Sequence, residues 1–410
     1  MSKLKEKMSH LKLFRYLKSN QHFQVLGKLV KDNIRQYGMI LALVFIMIYF
    51  SVATNGTSVR PLNVNNIILQ NAHVIILAVG MLIVILTGNI DLSVGSVAAF
   101  VGAMAGIMML NHDIAWELAT LIGLIIGLLA GMWNGFWIAY VKVPAFIVTL
   151  GGMLIFRGLT LAVLQGITLG PLPQGFNRLS SGFLPDILGN GGSLHILTIA
   201  IGLLFSVLYI GYVYLSRRKR IKYAFEVAPL WITIVSTIFI LVAINLFTIT
   251  IARHRGFPNV SIILFITIII YTFITKKTTI GRHVYALGGN AEAARLSGIN
   301  TRKTMFLVYA NMGFLAALSG IVYSARLNAA TPKAGDLFEL DAIASAFIGG
   351  ASASGGIGTI IGAVIGALVM GVINNGMSLL GLGIDWQQVV KGIVLLLAVW
   401  FDIATKNKAK

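Results

Sequence analysis

The stretch Thr87-Gly88-Asn89-Ile90-Asp91-Leu92-Ser93-Val94-Gly95-Ser96 breaks two apolar runs, 66–87 and 92–110, and its reading decides the fold. Each run approaches the ~20 apolar residues that carry a helix across a bilayer. At the join stand one carboxylate, an amide, hydroxyls and glycines. Irregular backbone at membrane depth survives only where protein or a water-lined cavity satisfies its polar groups, and a carboxylate there is costly unless held. The segment therefore reads as a broken membrane helix. Two roles for Asp91 stay open. It can cap the helix that follows, with Ser93 assisting, or it can face a translocation path.

Outward from this break the same composition continues. Of 410 residues 57% are hydrophobic, only 11% are charged and 44 are glycine, with a mean hydropathy of +0.87. Soluble domains carry about a quarter charged residues, so the fold class is all-α, a polytopic transmembrane helix bundle. Candidate spans are 38–53, 66–87, 92–110, 116–140, 145–164, 194–215, 229–251, 258–275 and 304–326, followed by closer pieces at 341–350, 357–380 and 387–403. That makes about 10–12 membrane elements, some broken or re-entrant. The absence of cysteine excludes disulfides, thiolate metal sites and cysteine nucleophiles.

Charge sets the expected topology. Of the 32 lysines and arginines, nine lie in 1–37, five in 216–226, six in 276–303 and three in 404–410. Basic loops beside apolar runs follow the positive-inside rule, so these four segments are expected in the cytoplasm. They divide the chain into a basic arm (1–37), a membrane domain (38–403) and a basic tail (404–410), with both termini cytoplasmic. The crossings alternate consistently, at the cost of placing Arg253 and Arg255 outside. The arm is too long before its first apolar run for a signal peptide; its Leu4, Met8, Leu11, Phe14 and Leu17 form a stripe suited to the lipid surface. Charge confined to such loops does not suit a nucleic-acid face.

Gly350-Ala351-Ser352-Ala353-Ser354-Gly355-Gly356 echoes the first break before a second small-residue run, and paired interrupted helices point to a transporter's substrate site. Arg157, mid-span, must face protein or water, as a tie to a carbonyl or to Asp91, or as part of a pathway or gate. Lys391 lies near enough to a helix end to snorkel. Gly123, Gly127, Gly131 and Gly135, and likewise Gly358, Gly362 and Gly366, form small-residue faces for close helix packing. Asn134, Asn374 and Asn375 then read as inter-helix hydrogen bonders with access to the path. The Pro- and Gly-rich 165–193 is too broken to span and serves either as a docking surface or as a connector.

Several chemistries have no support. There is no G-x-x-x-x-G-K-[ST] phosphate loop, no H-E-x-x-H, and no close carboxylate pair within an apolar run. No catalytic or metal-ligating set emerges. In 276–303, Asn290 can cap a two-turn helix, Glu292 suits its first turn and Gly298 ends it. A short capped helix on such a loop fits a groove in another protein.

In these residues, the sequence resembles the permease subunits of ribose/xylose-type carbohydrate ABC importers. The resemblance rests on Ile90-Asp91-Leu92-Ser93-Val94-Gly95-Ser96, on Val143-Pro144-Ala145-Phe146-Ile147-Val148-Thr149-Leu150-Gly151-Gly152-Met153 with Phe156-Arg157-Gly158, and on 281–300. It continues through Glu339-Leu340-Asp341-Ala342-Ile343-Ala344, Gly349-Gly350, Asn374-Asn375-Gly376 and Val390-Lys391-Gly392. The extra apolar stretch around 195–250 looks like the xylose or multiple-monosaccharide branch.

The resemblance implies a monosaccharide import subunit of the bacterial inner membrane, working by alternating access and not itself an enzyme. A cytoplasmic ATPase would bind ATP and Mg, leaving this chain without a cofactor, and would dock on a coupling helix at 291–299, capped by Asn290, through Glu292, Ala293, Arg295, Leu296 and Gly298. An extracytoplasmic sugar-binding protein and a second copy of the permease are the other expected partners, besides the lipid bilayer. Asp91, Ser93, Asn134, Arg157, Asn374 and Asn375 are the candidate pathway or gate residues. The rival reading is a stand-alone secondary transporter or channel, for which one intramembrane carboxylate is a thin supply of coupling groups.

Overall fold

The computed structural model describes residues 34–189, 192, 194–225, 227 and 229–407. The apolar stripe of the basic arm, residue 226 and the last three residues of the tail lie outside them. Among the described residues there are fifteen α-helices and no strand. They are α1 (Ile34–Ala53), α2 (Pro61–Leu86), α3 (Val94–Leu110), α4 (Trp116–Phe136, prolonged by a π turn to Val141), α5 (Ala145–Leu164), α6 (Gln174–Ser181), α7 (Ile196–Lys222) and α8 (Leu230–Ala252). There follow α9 (Val260–Lys277), α10 (Thr279–Gly289), α11 (Ala291–Leu296), α12 (Thr301–Leu327), α13 (Phe338–Ile348), α14 (Ile360–Leu379) and α15 (Ile384–Asn407).

All twelve expected pieces appear as helices, displaced at their ends by a few residues. Among the described residues nine helices are long and apolar enough to cross a membrane. With 17 residues α3 is marginal, and α13 with 11 residues rises only about half a bilayer at 1.5 Å per residue. Both short helices adjoin a glycine-rich break.

Two units are formed. In the larger, residues 39–184 and 257–410, α2 is the centre: every residue from Asn71 to Leu86 is buried, as expected of a helix apolar on all sides. Helix α12 packs against α2, α3 and α4. The α4 glycines allow this: a Cβ on Gly127 would lie 2.6 Å from the Gly313 carbonyl oxygen, and one on Gly131 would lie 2.9 Å from Gly313 itself. Gly362 and Gly366 likewise bring α14 onto Gly349 and Ser345. Gly358 does not share that face, because α14 begins two residues later with Thr359 as its N-cap. The broken 165–193 stretch contains α6, and its first half is pinned internally: Leu169 and Ala330 exchange backbone hydrogen bonds of 2.9 Å.

The smaller unit contains residues 185–256, an α7–α8 hairpin. Gly202 admits Thr248, Asn245 donates to Ser206 Oγ at 3.0 Å, and Arg217 donates to Thr233 Oγ1 at 2.8 Å. Asp186 accepts the Ile196 and Leu197 amides at the start of α7. Desolvation raises its pKa, but those amides and nearby His195 outweigh it and hold the carboxyl below its ordinary value.

Candidate functional site

The first break is held by a short relay. Asp91 is 2% exposed, and its Oδ1 accepts both the Ser93 amide at 2.8 Å and the Ser93 hydroxyl at 2.6 Å. Ser93 Oγ in turn accepts from Asn134 Nδ2 at 2.9 Å. A Cβ on Gly152 would lie 3.0 Å from Asn134 Oδ1 and 3.3 Å from Ser93 Cβ, so α3, α4 and α5 converge here. The carboxylate holds Ser93, the N-cap residue of α3, rather than capping a helix that begins at Leu92. Asn134 Oδ1, Ser96 Oγ and Tyr309 Oη are buried with no hydrogen-bond partner among the described residues. Buried polar atoms of this kind are what a broken helix tolerates and a lipid-facing helix does not.

The second break lies against the first. The Gly356 amide donates to the Leu86 carbonyl at 2.9 Å. A Cβ on Gly355 would stand 2.9 Å from the Gly88 amide nitrogen and 3.0 Å from the Gly288 carbonyl oxygen. Gly88 and Gly356 have φ of 79° and 72°, left-handed values that glycine adopts without a Cβ clash. The sequence echo is thus a physical crossing of the 86–88, 288–289 and 355–356 backbones. Tyr285 of α10 adds a hydrogen bond to the Gly358 carbonyl at 2.7 Å. From α15, Asp402 Oδ2 accepts from Ser352 Oγ at 3.1 Å.

Helix α10 starts at the Thr278 cap, where Oγ1 accepts the Gly281 amide at 3.2 Å, and buries Gly281, Val284 and Leu287. Helix α11 then projects from its end. Asn290 Oδ1 accepts the Ala293 amide at 2.9 Å, as the residue pattern predicts. Gly298 turns the chain away at φ 84°, and Asn300 caps α12 through the Lys303 amide at 2.9 Å. Only Ala294 of α11 is buried; Glu292, Ala293, Arg295 and Leu296 are exposed, Leu296 by 77%. Arg295 Nε donates to Glu292 Oε2 at 3.2 Å. That hydrogen bond and the guanidinium charge hold the Glu292 carboxyl below its usual range.

The other candidates separate. Arg157 donates to the carbonyls of Ala334 at 2.7 Å and Pro332 at 3.3 Å, so it ties α5 to the 328–337 connection, in keeping with the carbonyl reading. Asn375 and Asn63 exchange hydrogen bonds of 3.0 and 2.7 Å between α14 and α2. Its neighbour Asn374 makes no such bridge, and its Oδ1 is buried without a partner among the described residues. Lys391 does not snorkel: its Nζ lies 2.9 Å from Asp341 Oδ1 and donates to Oδ2 at 3.0 Å. Asp91 is also not alone, because Glu339 and Asp341 on α13 are each 7% exposed. The signal for them was two acids at the start of a short apolar piece.

Residues 63–399 match the family model described as "Branched-chain amino acid transport system / permease component". The chain belongs to this permease family. Within it the chain is 41% identical over 385 residues to the xylose transport system permease protein XylH of Haemophilus influenzae, covering 93% of this chain and 99% of that one. It is 39% identical to XylH of Escherichia coli K12, over 92% of this chain and 94% of the relative. The ribose import permease protein RbsC of Bacillus subtilis is 35% identical, over 90% and 94%. No solved structure matches the chain. Family membership, with nine helices among the described residues long and apolar enough to span, makes it a multi-pass membrane permease, a transport subunit rather than an enzyme.

Proposed function

We propose that this permease is the membrane subunit of an ATP-driven importer of a monosaccharide, xylose or a related sugar, in a bacterial inner membrane. The observation that carries the reading is the exposed, doubly capped α11, borne on a helix whose end lies in backbone contact with both membrane breaks. A cytoplasmic ATPase that binds ATP and Mg would dock there, an extracytoplasmic binding protein would deliver the sugar, and a second copy would complete the path. The nearly full-length similarity to xylose and ribose permeases supports the sugar class. The basic segments 1–37, 216–226, 276–303 and 404–410 are assigned to the cytoplasm, with both termini.

One experiment tests docking and sidedness together. The ATPase should bind inside-out vesicles containing the permease and ignore right-side-out ones. Gly298→Pro cannot adopt φ 84°, and Glu292→Arg places like charges at i and i+3 while opposing the helix dipole. Both positions lie in the open, so expression and folding are expected to hold while ATP-dependent sugar uptake falls at least about tenfold, the loss of ~1.4 kcal/mol of coupling. Wild-type uptake by both variants would remove the docking role.

The path is assigned to the Asp91–Ser93–Asn134 relay with Arg157, and to Asn374 and Asn375 as polar groups farther along it, at the Asn63 end of α2, and alternating access to movement of the two breaks. Asparagine retains the acceptor that holds Ser93, whereas alanine leaves a buried amide and hydroxyl unpaired at about 1–3 kcal/mol. Asp91→Ala should therefore lower folded yield. Asp91→Asn should fold like wild type but transport slowly, and full uptake by that variant would reduce Asp91 to a structural anchor.

A further inference from the structure

A cavity of about 200 Å³ opens between α2, α9, α10 and α12, apart from the polar relay. Its wall is aliphatic, with Ile83, Ile274, Ile280, Val284, Leu307 and Val308. The hydroxyls in the wall are already committed. Thr275 Oγ1 donates to the Tyr271 carbonyl at 2.7 Å, Thr304 Oγ1 to the Asn300 carbonyl at 3.0 Å, and Tyr271 Oη to Asn311 Oδ1. Each threonine hydroxyl thus already uses its proton within its own helix. A sugar would find little to hydrogen-bond there, and apolar cavities of this kind exclude water and accept hydrocarbon.

The rim is different. Lys276, Lys277, Arg282 and Lys303 each lie within two residues of a wall residue, and all four are exposed. Across 276–303 the single acid is Glu292, which is engaged by Arg295. The mouth residues Ile280 and Leu307 are 51% and 39% exposed. A hydrocarbon slot beneath a collar of cations matches the two ends of one molecule.

We propose that this cavity is a binding site for an anionic phospholipid, with part of an acyl chain between α9, α10 and α12 and the headgroup phosphate among Lys276, Lys277, Arg282 and Lys303. A zwitterionic lipid offers the same chain but no net charge for the collar. The site rests on neither the ATPase docking nor the sugar path, since it is a property of the permease alone. Its location does bear on them, because Val284 and Gly281 belong to the helix that carries α11.

The test uses purified full-length permease in detergent, titrated with phosphatidylglycerol or phosphatidylcholine and read by native mass spectrometry. Wild type should retain one phosphatidylglycerol per chain in preference to phosphatidylcholine. Lys276→Gln/Lys277→Gln/Arg282→Gln should erase that preference, by about fivefold for each cation removed. Leu307→Trp, at the partly exposed mouth, should block the slot and lower retention of both lipids while the thermal midpoint stays near wild type. Equal retention of the two lipids by wild type would overturn the proposal. So would unchanged retention in Leu307→Trp, or a dimer that the tryptophan dissociates without lipid loss, which would identify a second copy as the occupant.

Discussion

Gly288→Ala is expected to abolish most transport, while Gly289→Ala, one residue on, leaves it intact. Helix propensity alone predicts the opposite for the first, because glycine in a helix interior is about 0.5–1 kcal/mol worse than alanine. Sterics decide the matter. A methyl group at position 288 would overlap the Leu86 carbonyl oxygen and lie 2.6 Å from the Gly356 amide nitrogen. Those two atoms form the hydrogen bond that joins the two breaks. All the neighbours are backbone, so none can rotate away, and overpacking of this kind costs about 1–3 kcal/mol or more. At position 289 an added Cβ meets nothing within 4 Å. Sugar uptake by reconstituted variants should fall on the order of 10- to 100-fold for Gly288→Ala, with a lower thermal midpoint. It should change less than about twofold for Gly289→Ala, the range of a few tenths of a kcal/mol expected at an open site. Equal behaviour of the two variants would show that the crossing has no mechanical role.

The membrane bundle was legible in the sequence because apolar runs of span length declare themselves without tertiary information. The Asn290 cap and the Gly298 exit were legible for a related reason: caps are local, fixed by residue type within a few positions. The two breaks were visible as similar strings, but their meeting was not, since it depends on α10 arriving between residues 86 and 356. Arg157 has to face protein or water, but its position in the sequence leaves a carbonyl, Asp91 and the path all open, and only the fold brings it to the Ala334 carbonyl. Lys391 misled because position along a helix says how far a side chain stands from its end, not which acid the neighbouring helix offers. The burial of Glu339 and Asp341 was not legible for a related reason: the piece at 341–350 shows as an apolar run, but two acids at its start look the same whether they end in water or against a neighbouring helix. Asn374 and Asn375, adjacent in sequence, point in different directions around α14, and only Asn375 finds a partner on α2.

The Asp341–Lys391 pair gives the second large effect, and its two halves should not be equivalent. Lys391→Met leaves a carboxylate on α13, 10% exposed as a side chain, with no cation against it. Removing one member of a buried pair costs about 3–5 kcal/mol, and a carboxylate at membrane depth adds reason for the upper part of that range. Asp341→Asn leaves the ammonium instead, on a side chain 26% exposed whose four-carbon stem can swing its charge toward water. That variant should be destabilised by clearly less. The double variant Asp341→Asn/Lys391→Met removes both charges and recovers most of the Lys391→Met loss, because replacing a buried pair with neutral groups is often near neutral. Thermal midpoints of the three purified variants in one detergent give the ordering directly, with Lys391→Met lowest. A Lys391→Met protein as stable as wild type would mean that the pair contributes nothing to holding α15 on α13. A double variant no better than Lys391→Met would assign the loss to the packing of the lysine stem rather than to its charge.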